Sequence, residues 1–133
     1  MTTPQAQTWK SSPFTIERKE GKAPGTVIFR LSGPFTARDM YSSQSPATLQ
    51  SLFDPQSTPG SEPTAVNILD LTDVPYMDSM GLGMIVTHHV RCQRNGVRLC
   101  AAGVGPRVLQ LFKLTKVDAV IPMAVTVEEA DSQ

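Results

Sequence analysis

The sequence predicts a single α/β domain: a mixed β-sheet, built from an N-terminal hairpin plus parallel strands, with about four helices packed on it. Three observations point there. Two β-rich runs near the N-terminus are separated by a turn. The second half alternates strand-like and helix-like stretches, which argues for parallel neighbours joined by right-handed crossovers. A chain of 133 residues, 40% hydrophobic and 18% charged, suits one buried core and not two.

Residues 1–13 read as a disordered tail of Thr, Gln, Ser and Pro with Trp9 as its large apolar group, leaving 14–133 as the domain. Phe14 to Lys19 alternates apolar and polar side chains, Glu20 to Gly25 turns, and Thr26 to Ser32 (TVIFRLS) is the second strand of the hairpin. Gly33-Pro34 ends it. From Phe35 to Ala65 the pattern weakens. Ser45-Pro46 predicts an N-cap and first helical residue for a short helix through Leu49, Leu52 and Phe53. Asp54 to Pro63, rich in proline, is a loop. The second half is cleaner: a strand over Ala65–Leu71, a helix over Ser79–Arg94 closed by Asn95-Gly96, and a strand over Val97–Ala102. A helix over Pro106–Lys113, a short strand near Val120–Ala124 and a short helix from Thr126 complete the chain. No internal repeat interrupts this order.

Composition excludes several functions. Twelve basic and twelve acidic residues cancel, and no Lys/Arg cluster offers the footprint expected for nucleic acid or anionic lipid. No run of about 18 apolar residues is present to span a membrane, and the first residues lack a signal-peptide core. Cys92 and Cys100 have no metal-type spacing and read as buried reduced thiols, which fits a cytoplasmic protein.

The informative stretch is Asp70 to Val86, DLTDVPYMDSMGLGMIV. Ser79 stands where a helix N-cap belongs, with Leu82, Ile85, Val86 and His89 recurring on one face behind it. Capping alone explains a serine there. Gly81 and Gly83 go further, since each costs roughly 1 kcal/mol against alanine inside a helix and makes sense where a backbone or a partner approaches closely. Met80 and Met84, four apart on a different face, suit a binding surface as well as they suit cover by loops.

Asp70 to Gly83, in the pattern D-L-x-x-V-x-Y-M-D-S-x-G-L-G, closely resembles the signature of anti-sigma factor antagonists, which have the STAS fold. Arg107 to Phe112 is more loosely similar to that family's third helix, and the likeness covers roughly residues 14–130. The resemblance implies a partner-switching mechanism. The unphosphorylated antagonist binds an anti-sigma factor that is also a serine kinase and so frees a sigma factor; phosphorylation of the serine after the aspartate, here Ser79, releases it. A phosphatase resets the cycle. Asp78, Met80, Gly81, Gly83, Met84 and Thr87 are the partner-binding candidates around it. Two departures stand out. The family's Gly-Glu-Leu/Ile-Asp after the second strand reads Gly33-Pro34-Phe35-Thr36 here, without either carboxylate, so the Met80/Met84 face is expected to compensate. Its Thr-Gly after the third helix reads Thr115-Lys116. The alternative is a STAS docking module of another assembly, a stressosome-like complex or a lipid-transport ATPase.

Other signals are weaker. Gly103-Val104-Gly105-Pro106 would need a glycine at Val108 to complete a dinucleotide fingerprint, so helix capping by Gly105-Pro106 is the reading. Adjacent His88 and His89 point to different helix faces, poor geometry for one metal; His89 is expected in the core and His88 in solvent. Arg107, Gln110 and Lys113 form an exposed face. A serine without a base is no nucleophile, so the expectation is a binding protein and not an enzyme, with no cofactor and no metal.

Overall fold

The computed structural model describes residues 14–41 and 64–131. The tail at 1–13, the helix expected from Ser45 and the loop at Asp54–Pro63 lie outside them. Period-two alternation builds the sheet. β1 (Thr15–Glu20) pairs antiparallel with β2 (Thr26–Ser32), Thr15 opposite Ser32 and Glu20 opposite Val27. β3 (Val66–Asp73), β4 (Arg98–Ala102) and β5 (Met123–Ala124) follow in parallel, and the spatial order is the sequence order. Four α-helices accompany them among the described residues: α1 (Ala37–Tyr41), α2 (Ser79–Arg94), α3 (Pro106–Leu114) and α4 (Val127–Asp131). The mixed sheet with about four helices is therefore the observed architecture. α1 is the element the sequence pattern did not reveal; its described residues are too few to display a helical period.

The two faces of the sheet carry unequal loads. Val27, Phe29 and Leu31 of β2 and Leu69 and Leu71 of β3 face one way. They form the main core with Ile85 and Cys92 of α2 and Val108 and Phe112 of α3. Ile28, Ile68 and Ala102 face the other way and meet Ala130 of the short α4. Phe14 and Phe35 are also fully buried on the main side, each ring contributing about 1.5–3 kcal/mol by leaving water.

Helix ends follow their local chemistry. Gly96, at φ 69°, lies just beyond α2. The Gly96 N–H donates to the Gln93 carbonyl and the Val97 N–H to that of Cys92, a Schellman closure that satisfies carbonyls the helix leaves open. α3 starts at Gly105 with Pro106 as its first residue, as expected. It ends on Thr115, after which Lys116 takes a left-handed φ of 64°. That is the position where the resemblance places a glycine, so this chain accepts a strain of about 1–2 kcal/mol there.

A buried polar link ties α2 to the sheet. Asn67, fully buried in β3, donates from Nδ2 to the Val27 carbonyl at 2.8 Å. Its Oδ1 accepts from His88 Nε2 at 2.5 Å, and Cys92 Sγ lies 3.6 Å from the same nitrogen. This corrects the expectation for the histidine pair: His88 is 2% exposed and belongs to the core, while His89 is half-buried at its edge. Spacing alone put His89 inside because the Leu82/Ile85/Val86 stripe was centred one step too far round the helix. The buried side of α2 is Gly81, Ile85, His88 and Cys92. Both cysteines are free; Cys92 is buried and Cys100 half-buried. Burial pushes the Cys92 thiol up to about 11, despite the opposing pull of Arg91.

The link gives a stability prediction. Asn67→Leu keeps the branched side-chain shape in a larger residue and leaves the Val27 carbonyl and the His88 N–H without this partner. It should cost about 2–4 kcal/mol in urea unfolding, and a loss below about 1 kcal/mol would show that the link carries little.

Candidate functional site

Backbone holds the connection from β3 to α2 before any side chain acts. The Val74 N–H donates to the Leu71 carbonyl, turning the chain past Asp73. It then runs beside Gly33–Thr36: the Phe35 N–H donates to the Tyr76 carbonyl at 3.0 Å and the Asp78 N–H to the Phe35 carbonyl at 3.3 Å. Phe35 and Met77 form an isolated parallel bridge. Phe35 is fixed in turn by stacking on Phe14, with ring centroids 4.5 Å apart and planes 8° from parallel. Phe35, which lies between the two positions where the resemblance places carboxylates, is thus the platform on which the motif rests.

α2 begins from that platform. Asp78, not Ser79, is its N-cap: Asp78 has extended dihedrals (φ −103°, ψ −173°) and its Oδ1 accepts the Gly81 N–H at 3.0 Å. Both residue types cap well; the Phe35 carbonyl decides between them by holding the Asp78 N–H. Asp78 Oδ2 also accepts the Ala37 N–H of α1 at 3.1 Å. Ser79 is therefore the first helical residue. It is exposed, and among the described residues its hydroxyl makes no hydrogen bond.

The other candidates divide into two groups. Asp78 and Gly81 have intramolecular work: a Cβ on Gly81 would fall on the Phe35 carbonyl oxygen, so its glycine is required by the chain's own backbone. Met84 is half-buried and packs against the main core, which removes it from the outward face expected for the methionine pair. Met80 (43% exposed), Gly83 and Thr87 do face outward, and a Cβ on Gly83 would meet nothing within 4 Å. Periodicity placed Val86 on the inward stripe with Leu82 and Ile85, which the structure corrects, and it passed over Val90. At 41% and 40% exposure, the two valines continue the line from Ser79 through Gly83 at helical spacing. Exposed β-branched side chains four apart on a helix were the available signal.

At the same end of the sheet, the Arg107 guanidinium lies 4.6 Å from the centroid of the half-exposed Tyr76 ring. Arg107, Gln110 and Lys113 are exposed, as expected. Gly103, at φ 70°, brings the end of β4 against the Thr72 side chain, and Thr72 Oγ1 donates to Asp70 Oδ1 at 2.6 Å. The space beside Gly103 is taken by the chain's own Thr72. Among the described residues, no three His, Cys, Asp or Glu side chains cluster to hold a metal, and no helix is long and apolar enough to cross a membrane.

The sequence matches the STAS domain family model over residues 20–130. Among solved structures, the fold is similar to that of a candidate anti-sigma factor antagonist from Thermotoga maritima, at 20% identity and TM-score 0.68, covering 86% of this chain and 90% of that one. An anti-sigma factor antagonist from Mycobacterium paratuberculosis matches at 18% identity and TM-score 0.66, over 98% and 95%. A sulfate transporter family protein from Wolinella succinogenes matches at 19% identity and TM-score 0.65, over 81% and 83%.

The site geometry predicts opposite signs for two glycines of one helix. Gly81→Ala should destabilise by about 2–4 kcal/mol, since the obstructing atom is backbone, whereas Gly83→Ala should stabilise by about 0.5–1 kcal/mol. Asp78→Ala should cost about 1–2 kcal/mol and Ser79→Ala less than about 0.5 kcal/mol. Thermal melting of the four variants checks this; a Ser79→Ala loss matching that of Asp78→Ala would return the cap to Ser79.

Proposed function

The chain belongs to the STAS domain family, and on that footing we propose that it works as an anti-sigma factor antagonist switched by phosphorylation of Ser79. One observation carries the reading. Ser79 is exposed, its hydroxyl is free of hydrogen bonds among the described residues, and it heads an outward face made of Met80, Gly83, Val86, Thr87 and Val90. A kinase needs an accessible hydroxyl; a docking partner needs apolar surface beside it. Both stand on one helix.

The physics of the switch follows from the cap. Phosphate adds about −1.5 to −2 charges at pH 7. At the first helical position it meets the Ser79 and Met80 amides and the positive end of the helix dipole, so the fold tolerates it. Because Asp78 is the cap, modifying Ser79 removes no capping bond. The same charge inside an interface that covers Met80, Val86 and Val90 would be buried without a cation and would expel the partner. Unmodified protein binds an anti-sigma factor serine kinase and frees a sigma factor; the modified form is released, and a phosphatase restores it. The protein acts by binding in the cytoplasm, without catalysis, cofactor, nucleic acid or membrane.

Incubation with the cognate kinase and ATP should place phosphate on Ser79, read by mass spectrometry. Ser79→Ala should keep the partner, while Ser79→Asp and Val90→Lys should each weaken it at least tenfold, about 1.4 kcal/mol, in calorimetric titration. Ser79→Ala and Ser79→Asp should melt alike, so affinity cannot be following stability. Phosphate on another residue, or equal affinity for Ser79→Ala and Ser79→Asp, would defeat the switch. The second of these would fit a docking module of another assembly.

A further inference from the structure

The carboxylate of Asp78 serves the starts of two helices at once. Oδ1 accepts the Gly81 N–H of α2 at 3.0 Å and Oδ2 the Ala37 N–H of α1 at 3.1 Å. The second bond joins residues 41 positions apart. Ala37 is the first residue of α1, where a helix amide has no internal acceptor. The local cap does not reach it: Thr36 Oγ1 accepts the Asp39 N–H at 3.2 Å and donates to Asp39 Oδ2 at 2.6 Å. α1 therefore takes its first anchor from the residue that directly precedes Ser79.

We propose that the Asp78–Ala37 bond relays the state of Ser79 to α1: a phosphate on Ser79 draws Asp78 Oδ2 off the Ala37 amide and loosens the first turn of α1. The occasion for the relay rests on the reading of Ser79 as a phosphosite, but its chemistry does not. Phosphoserine would set a near-dianion beside the carboxylate of the preceding residue, and like charges confined to one turn separate. The phosphate takes the Ser79 and Met80 amides, leaving Asp78 its bond to Gly81, which is closed within the same turn. The long-range bond to Ala37 yields first, because it joins separate segments 41 positions apart, whereas the bond to Gly81 is closed within one turn. Phosphorylation would then alter two surfaces, the exposed face of α2 by charge and the start of α1 by release. A partner that contacts α1 would sense the modification without touching Ser79.

The test is amide hydrogen exchange by NMR on the full chain, comparing serine with phosphoserine installed at position 79 during translation, so that no kinase is needed. The Ala37 amide should exchange at least tenfold faster with phosphoserine, while the Ile85 amide, deep in α2, changes less than twofold. Asp78→Asn keeps a capping oxygen for α2 but exchanges the second oxygen for a donor. It should speed Ala37 exchange in the unmodified chain, and phosphoserine should then add less than twofold. Ala37→Pro, which suits a first helical position but removes the N–H, gives a second control: Asp39 exchange should no longer respond to phosphoserine. Equal Ala37 exchange in the serine and phosphoserine chains would overturn the relay, as would a full response that survives Asp78→Asn. If the relay operates but no kinase modifies Ser79, the functional reading fails and the relay stands.

Discussion

Where the chain crosses from β3 to α2, the backbone of Phe35 and the carboxylate of Asp78 hold three segments in one place. Phe35 gives its N–H to Tyr76 and its carbonyl to Asp78, and its ring is pinned by Phe14. Asp78 passes the connection on to Gly81 and Ala37. The rest of the site depends on this arrangement. It fixes the first residue of α2, it requires a glycine at position 81, and it turns Ser79 outward. An acidic residue is the economical choice at such a junction, since two lone-pair-bearing oxygens can serve two helix starts, and the dipoles of both favour its charge.

The far end of α2 is set by different forces. The bond from His88 to Asn67, and from Asn67 to the Val27 carbonyl, fixes the helix against two strands of the sheet. Apolar packing around Ile85 and Cys92 is tolerant of small rotations; a buried hydrogen-bonded pair is not, because a displaced donor stays desolvated and unpaired. The two ends together define which residues face outward. Val86 and Val90 are exposed because His88 is held inside. A rotation by one position would bury them and expose the histidine.

Placing modification next to the cap, and not on it, separates two tasks that a single residue would confuse. A phosphorylated cap would carry both the first-turn hydrogen bond and the change of charge on one group. Here Asp78 keeps the helix start while Ser79 changes charge. The absence of carboxylates at Pro34 and Thr36 fits the same scheme, since Gly33–Thr36 contributes backbone and an aromatic ring to the platform and Thr36 caps α1. In this chain the segment is structural support for the motif.

The amino-acid sequence by itself determined the sheet, the order along the chain of its strands and of the helices other than α1, and the position of the motif. Alternation over TVIFRLS and AVNILDL, the proline at 106 and the Asn95-Gly96 stop are local signals that act within a few residues. The span of α2, Ser79 to Arg94, was readable for that reason. Tertiary structure decided what local signals leave open. Asp78 and Ser79 cap equally well by type, and only the Phe35 carbonyl, from another part of the chain, chooses between them. His88 and His89 are equivalent in sequence, and only Asn67 across the core selects one. Gly81 and Gly83 share a residue type, yet a backbone from β2's exit fills the space beside one and leaves the other open. Each of these choices is made by a partner distant in sequence and adjacent in space, which a periodic pattern along the chain cannot encode.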